Sequence, residues 1–357
     1  MNWKNNWPET KQHLQDWWQG NGLVVGSWFP PLTEEPRADA PWPPSHDITP
    51  AEDPAYRAVL ANALCARQLH LLDCLAVADC NFGPGSLATM LGSTPEFTGG
   101  TTWFCPCWED VEEPELLPSL HFDEENVYYR QHIDTLVATR ALAGDNYAVG
   151  MPNLVEGLDT LASLRGTETL LFDLLERPDW VHAKLDEIHA IRLQVYEHCR
   201  PYCRTNEDWT FFSSFRFGGP GKTDILQSDI AAMISPATFR EFEIPHLRAH
   251  CRYMDHTMFH VDGIECLDKL DDLLAIDELD ALEWSPDPKS GGTAHPRWLP
   301  LYHRILEAGK SLQLINLQIQ QVAPLLDEIG TQGVFLLVEI STREDAEELT
   351  NIVARYR

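Results

Sequence analysis

His260 and Asp262 stand two residues apart in the run Thr257-Met-Phe-His-Val-Asp-Gly263, and Gly263 lets backbone or a ligand come close. An imidazole and a carboxylate at this spacing can bind a metal, transfer a proton or order an anion. Other positions offer matching chemistry: Asp229 in the loop after Gln227, Asn153 and Asn316 at the ends of apolar runs, and Glu339 directly after Val334-Phe-Leu-Leu-Val338. A carboxylate that ends an apolar run is costly unless solvated, paired or metal-bound. His260, Asp262 and Glu339 together form a one-His, two-carboxylate set, which suits Zn²⁺, Fe²⁺ or Mn²⁺ and leaves positions for water or substrate. The alternative is a His bonded to a carboxylate, shaping the pocket without metal. Arg216 is the best cation for an anionic substrate group, or equally a salt-bridge partner in an acidic chain. Trp103 and Trp284 are aromatic candidates for a pocket wall, or for plain packing.

These residues fall at the ends of short apolar runs that alternate with helical periodicity. After His260 the leucines Leu267, Leu270, Leu273 and Leu274 recur at helical spacing, and Asp280-Ala-Leu-Glu-Trp284 follows as a strand. From about residue 74 the order strand–helix repeats seven or eight times. That pattern predicts an α/β fold, a (β/α)8 TIM barrel over residues 56–357, whose C-terminal strand ends share one mouth. An open doubly wound sheet is the other solution, and the missing dinucleotide fingerprint counts against its usual cofactor-binding form. Residues 1–55 are expected as an extension: a helix over 8–20 anchored by Trp17 and Trp18, a strand-like piece at Gly22–Gly26, then a Pro-dense arm over 29–54. Such an arm wraps the body or reaches a second copy, in which case the protein is a homodimer.

The chain has 357 residues and a formal net charge of −29, which disfavours nucleic acid and anionic membranes as partners. Nine scattered cysteines without a zinc-ribbon spacing suggest reduced thiols and a cytoplasmic location. No apolar run approaches a membrane span, and the first twenty residues lack the apolar core of a signal peptide.

The stretches Gly157-Leu-Asp159-Thr-Leu-Ala-Ser-Leu-Arg165-Gly166, Asp173-Leu-Leu-Glu-Arg-Pro178, Gln227-Ser-Asp229-Ile-Ala-Ala-Met-Ile-Ser235-Pro236 and His260-Val-Asp262-Gly263, in this order, resemble the uroporphyrinogen decarboxylase superfamily. That superfamily includes corrinoid-linked methyltransferases. The resemblance implies a (β/α)8 barrel and an enzyme of methyl-transfer type. A divalent metal such as zinc would sit on His260, Asp262 and Glu339, and a corrinoid would be carried by a partner protein. The methyltransferase branch uses His-x-Cys and a distant Cys, where this chain has His260-x-Asp262 and Glu339, a harder ligand set. Uroporphyrinogen itself is disfavoured, because the N-terminal Arg-rich segment that binds its carboxylates is absent and the chain is strongly acidic. Two alternatives stand beside methyl transfer. One is a cofactor-independent decarboxylase of a small carboxylate, with Asp229 or His260 handling the proton and Arg216 holding the acid. The other is a non-catalytic small-molecule binding protein.

Overall fold

The computed structural model describes residues 1–33, 37, 39–43, 53–98 and 101–357. In chain order the elements begin with α1 (Trp7–Trp18), β1 (Leu23–Gly26), α2 (Pro54–Arg67), β2 (Val77–Ala78), α3 (Ser86–Met90), β3 (Thr94–Thr98), β4 (Thr101–Cys105), α4 (Val127–Ala143) and β5 (Ala148–Val149). Next come α5 (Gly157–Arg165), α6 (Thr167–Glu176), α7 (Pro178–Cys203), β6 (Trp209–Phe212), β7 (Phe217–Pro220), β8 (Thr223–Gln227), α8 (Pro236–Phe242) and α9 (Ile244–Tyr253). The last part holds β9 (His256–Asp262), α10 (Leu270–Leu274), β10 (Ala281–Ser285), α11 (Leu299–Glu307), β11 (Ser311–Leu317), α12 (Ile319–Ile329), β12 (Val334–Val338) and α13 (Arg343–Val353).

The architecture is α/β. Six strands form one parallel sheet in the order β1-β12-β11-β10-β9-β8. Five of them, β1 and β9 to β12, are the strand runs expected from the sequence. The remaining strands form pairs: β2 with β5 in parallel, β6 with β7 and β3 with β4 antiparallel. A single parallel bridge joins Gly150 to Phe211, and the Asp73 amide donates to the Val25 carbonyl at 2.9 Å. The eight-strand barrel expected from the repeat is therefore not present as one continuous ladder among the described residues. Strand β5 stops after two residues because Met151 leads into Pro152, which has no amide to donate. Strand β6 ends at Phe212, because Phe215 and Arg216 adopt left-handed φ values of 55° and 47° and turn the chain back as β7.

Strand β1 is hydrogen-bonded along its length to β12, so residues 23–26 belong to the main sheet. Trp17 and Trp18 are buried as expected, Trp17 edge-on to Phe335 of β12 at 5.4 Å. Pro36, Pro44 and Pro50 of the arm lie outside the described residues. Thr342 caps helix α13, and Asp345 completes the capping box. All nine cysteines are free thiols, and among the described residues no helix is long and apolar enough to cross a membrane.

Candidate active site at the strand ends

Register places four polar side chains in one row across the sheet. Gln227 of β8 is level with His260 of β9, His260 with Glu283 of β10, and Glu283 with Gln313 of β11; Phe335 and Val24 complete the row. Residues level in a parallel sheet point to the same face. In this row Glu283 is fully buried and bonds His260 Nδ1 through Oε2, while its Oε1 accepts from Ser285 Oγ at 2.9 Å. Gln313 donates to the Phe215 carbonyl at 2.8 Å, and the Phe215 ring lies 4.7 Å from that of His260. Burial works against a charged His260, but Glu283, with Asp262 and Asp229 behind it, raises its pKa above the ordinary value. The imidazole is thus held in one orientation by a buried carboxylate and biased toward its protonated form.

Beside this row lies a cleft of about 320 Å³, walled by the start of α5, the end of β8 and the β3–β4 hairpin. Asp159 and Asp229 both line it. The Asp159 carboxylate accepts the backbone amides of Asp229 at 2.7 Å and Ile230 at 2.9 Å, so it caps the turn that carries Asp229. Gln227 Nε2 holds Asp229 Oδ1 at 2.8 Å. Burial first, and then the charge of Asp229, push the Asp159 carboxyl up to about 7. Burial also raises Asp229. Behind Asp159, Glu243 accepts the Leu158 amide at 2.9 Å and Ser228 Oγ at 3.3 Å. Burial and the neighbouring Asp159 push Glu243 up to about 8. Gly157 makes this approach possible: its φ is +62°, and a Cβ there would lie 2.6 Å from Glu243 Oε2.

The residues read from the sequence divide into groups. Asp229, His260 and Asp262 come together, and Trp103 stands on the cleft wall, 64% exposed. Asn316 and Glu339 both line a separate cleft of about 250 Å³ with Trp28 and Phe29, and Gln318 bonds Glu339. Asn153 is buried and accepts from Ser214 Oγ at 2.8 Å. Trp284 requires a correction. It is level with Val261 and Leu314, on the face opposite His260, and is buried edge-on to Trp298 at 5.0 Å. Arg216 also requires one. It is buried in the wall and donates to the carbonyls of Trp28 at 2.9 Å and Val77 at 3.3 Å, away from the cleft lining. Glu283, Asp159 and Gln227 belong to the site but were not singled out by the sequence reading. The signal for Glu283 was the one used for Glu339: a carboxylate inside an apolar strand demands a partner.

The ligand atoms of His260, Asp262 and Glu339 are not gathered within 4.8 Å. Among the described residues, the donor group that meets this distance is Glu156, His189 and His250, away from the cleft. There His189 Nδ1 lies 3.1 Å from Glu156 and His250 Nε2 lies 3.1 Å from Asp224. Arg192 contacts the His250 ring and pairs with Asp224 at 3.1 Å. Its guanidinium already supplies the positive charge a metal would bring. Burial opposes ionisation of Glu156, but Arg192 and His250 hold its carboxyl well below the usual range.

An α/β fold with an acid- and imidazole-bearing site at the ends of parallel strands is the class these features define. No family model matches the chain, and no curated protein matches it. Solved structures do. A methyltransferase from Methanosarcina mazei superposes with a TM-score of 0.60 at 14% identity, over 97% of this chain and 98% of that one. A B12-independent methionine synthase from Shewanella sp. W3-18-1, solved in complex with selenomethionine, gives 0.47 at 9% identity, over 93% and 96%. The chain therefore shares its fold with a solved methyltransferase.

Proposed function

We propose that the protein is a methyltransferase-like enzyme of the uroporphyrinogen decarboxylase-like superfamily, its sheet closing into a barrel around the strand-end cleft. The observation that carries this reading is His260, oriented through Nδ1 by the buried Glu283, with Asp229 and Asp262 beside it. The fold shared with a methyltransferase supports it. In this reading the protonated His260 hands a proton to the departing heteroatom once the methyl has left. Asp229 and Asp262 keep that imidazolium charged, and Asp159 fixes the turn that presents Asp229. The acceptor is proposed to be a corrinoid on a partner protein, and a homodimer through the N-terminal arm belongs to the same proposal.

Metal dependence has a narrower basis. As they stand, His260, Asp262 and Glu339 do not fit a single ion, since Glu339 faces a different cleft. The reading rests on His260 and its carboxylates rather than on a metal. Mass spectrometry of wild type, His260→Ala and Glu339→Gln decides whether an ion joins them: one equivalent, lost in both variants, establishes the site. The carboxy-lyase alternative lacks its cation, because no Lys or Arg lines the cleft among the described residues.

The direct test offers methylated small molecules as donors and free cob(I)alamin as acceptor, followed by absorbance. Transfer that drops about 100-fold in His260→Gln supports the assignment. No transfer from any donor, or an unimpaired variant, removes it.

A further inference from the structure

We infer that the cleft binds an onium cation, a quaternary ammonium or tertiary sulfonium group carrying methyls, against Trp103 and the Asp159–Asp229 pair. The inference rests on the methyl-transfer reading for the word methyl, and on the cleft alone for the word cation.

Three observations lead there. The first is the wall. Trp103 is 64% exposed and Met233 54%, and both line the cleft with Phe104. Large apolar side chains left in solvent around a cleft signal an occupant with apolar surface. The second is charge. Asp159 and Asp229 line the same cleft, and no Lys, Arg or His does among the described residues. The nearby arginines are committed elsewhere: Arg216 to two carbonyls, and Arg57 to the Asn81 carbonyl at 2.7 Å with its guanidinium over Phe82. An anionic ligand would meet only carboxylates here. The third is the shortage of free acceptors. Asp159 is occupied by two backbone amides and Asp229 Oδ1 by Gln227. A primary ammonium needs several acceptors at once. An onium group needs none; it needs negative potential and an aromatic face, and Trp is the best such face. The cleft of about 320 Å³ is of ordinary ligand size.

Electrostatic linkage gives an independent signature. Burial and the Asp229 charge push Asp159 up to about 7, so part of the pair is neutral at neutral pH. A bound cation favours the ionised form. Binding should therefore release protons near pH 7, and affinity should rise as pH rises through that value.

The test is calorimetric titration of the full-length protein with choline, trimethylsulfonium, propionate and 3,3-dimethyl-1-butanol, the neutral isostere of choline. The expected result is choline bound about tenfold or more tightly than the isostere, with a loss of about fivefold in Trp103→Ala and in Asp229→Asn. Trp103 is largely exposed and Asp229→Asn keeps the side chain's shape, so circular dichroism should show the fold unchanged. Comparison of choline with trimethylsulfonium identifies the onium type. Equal affinity for the isosteric pair, preference for propionate, wild-type affinity in both variants, or no choline binding at about 50 mM overturns the inference. Methyl transfer to cob(I)alamin is scored separately. Choline binding without transfer keeps the cation site and removes the transferase, while transfer only from neutral or anionic donors does the reverse.

Discussion

Glu283 has no exposure to solvent, yet both of its oxygens are used, one by His260 and one by Ser285. A carboxylate so placed fixes the imidazole tautomer and makes it more basic, as outer partners do for catalytic histidines. Glu283→Gln keeps the shape and removes the charge. It should lower the His260 pKa, read by NMR titration of the imidazole, and reduce turnover by about 100-fold. The sign of the stability effect follows. The raised His260 pKa stabilises the fold below the unfolded value near 6.5, and the gain is lost as pH rises through the folded value. The variant should therefore lose more melting temperature at pH 6 than at pH 8.5; equal loss would show that the pair carries no charge. At this scale the sequence was half legible. His260, Asp262 and Asp229 stand out because polar residues end apolar runs. Glu283 and Gln313 lie inside such runs, and only register shows that they face His260. The same register removes Trp284, which spacing alone could not assign to a face.

The elements that matter most are the two that Asp159 and Glu243 tie together. The start of α5 is held by Glu243 through the Leu158 amide, and the turn after β8 is held by Asp159 through the amides of Asp229 and Ile230. Asp159→Ala should free both amides. It should cost about 1–3 kcal/mol and speed hydrogen exchange at residues 229–233; unchanged exchange there would mean the cap is not what orders the turn. A second element contact is tighter. A Cβ on Gly85 would lie 2.5 Å from the Phe104 ring, which packs the β3–β4 hairpin onto the loop before α3. Gly85→Ala should displace the hairpin, cost about 1–3 kcal/mol and open residues 94–105 to limited proteolysis, whereas a wild-type cleavage pattern would show that Phe104 simply rotates away. Helices were the legible elements, since their periodicity and caps are local. Strand β8 was missed because Thr223-Asp-Ile-Leu-Gln227 is short and carries a buried Asp224, whose cost is met by Arg192 and His250 from distant helices. The end of β6 at Phe212, set by the turn at Phe215 and Arg216, also depends on the tertiary demand for a turn, not on residue type.

Across the whole molecule, buried titrating groups set opposing slopes of stability with pH. His132 and His70 are pulled down by burial, to about 3 and about 4, so they bind fewer protons in the folded chain than in the unfolded one below about 6.5, and their share of stability rises with pH there. Above that pH these histidines are neutral in both states and drop out. Glu243 then dominates. Burial and Asp159 push it up to about 8, so between pH 6.5 and 8 the folded state keeps a proton that the unfolded chain has released, and raising pH favours unfolding. Asp159, at about 7, and the raised His260 add in the same sense. Glu156, held low, has the opposite sense but acts only in acid, well below this window. The melting temperature should therefore stay roughly level from about pH 4.5 to 6.5, where the histidines and the raised carboxyls oppose one another, and fall by about 2 °C or more by pH 8. Glu243→Gln retains an acceptor for Leu158 and removes the ionisation, so it should flatten the decline above pH 6.5 and let stability rise more steeply between about pH 4.5 and 6.5. An undiminished decline in that variant would mean that Glu243 is ionised in the folded protein, and that the buried carboxylates behind the cleft share their charge differently.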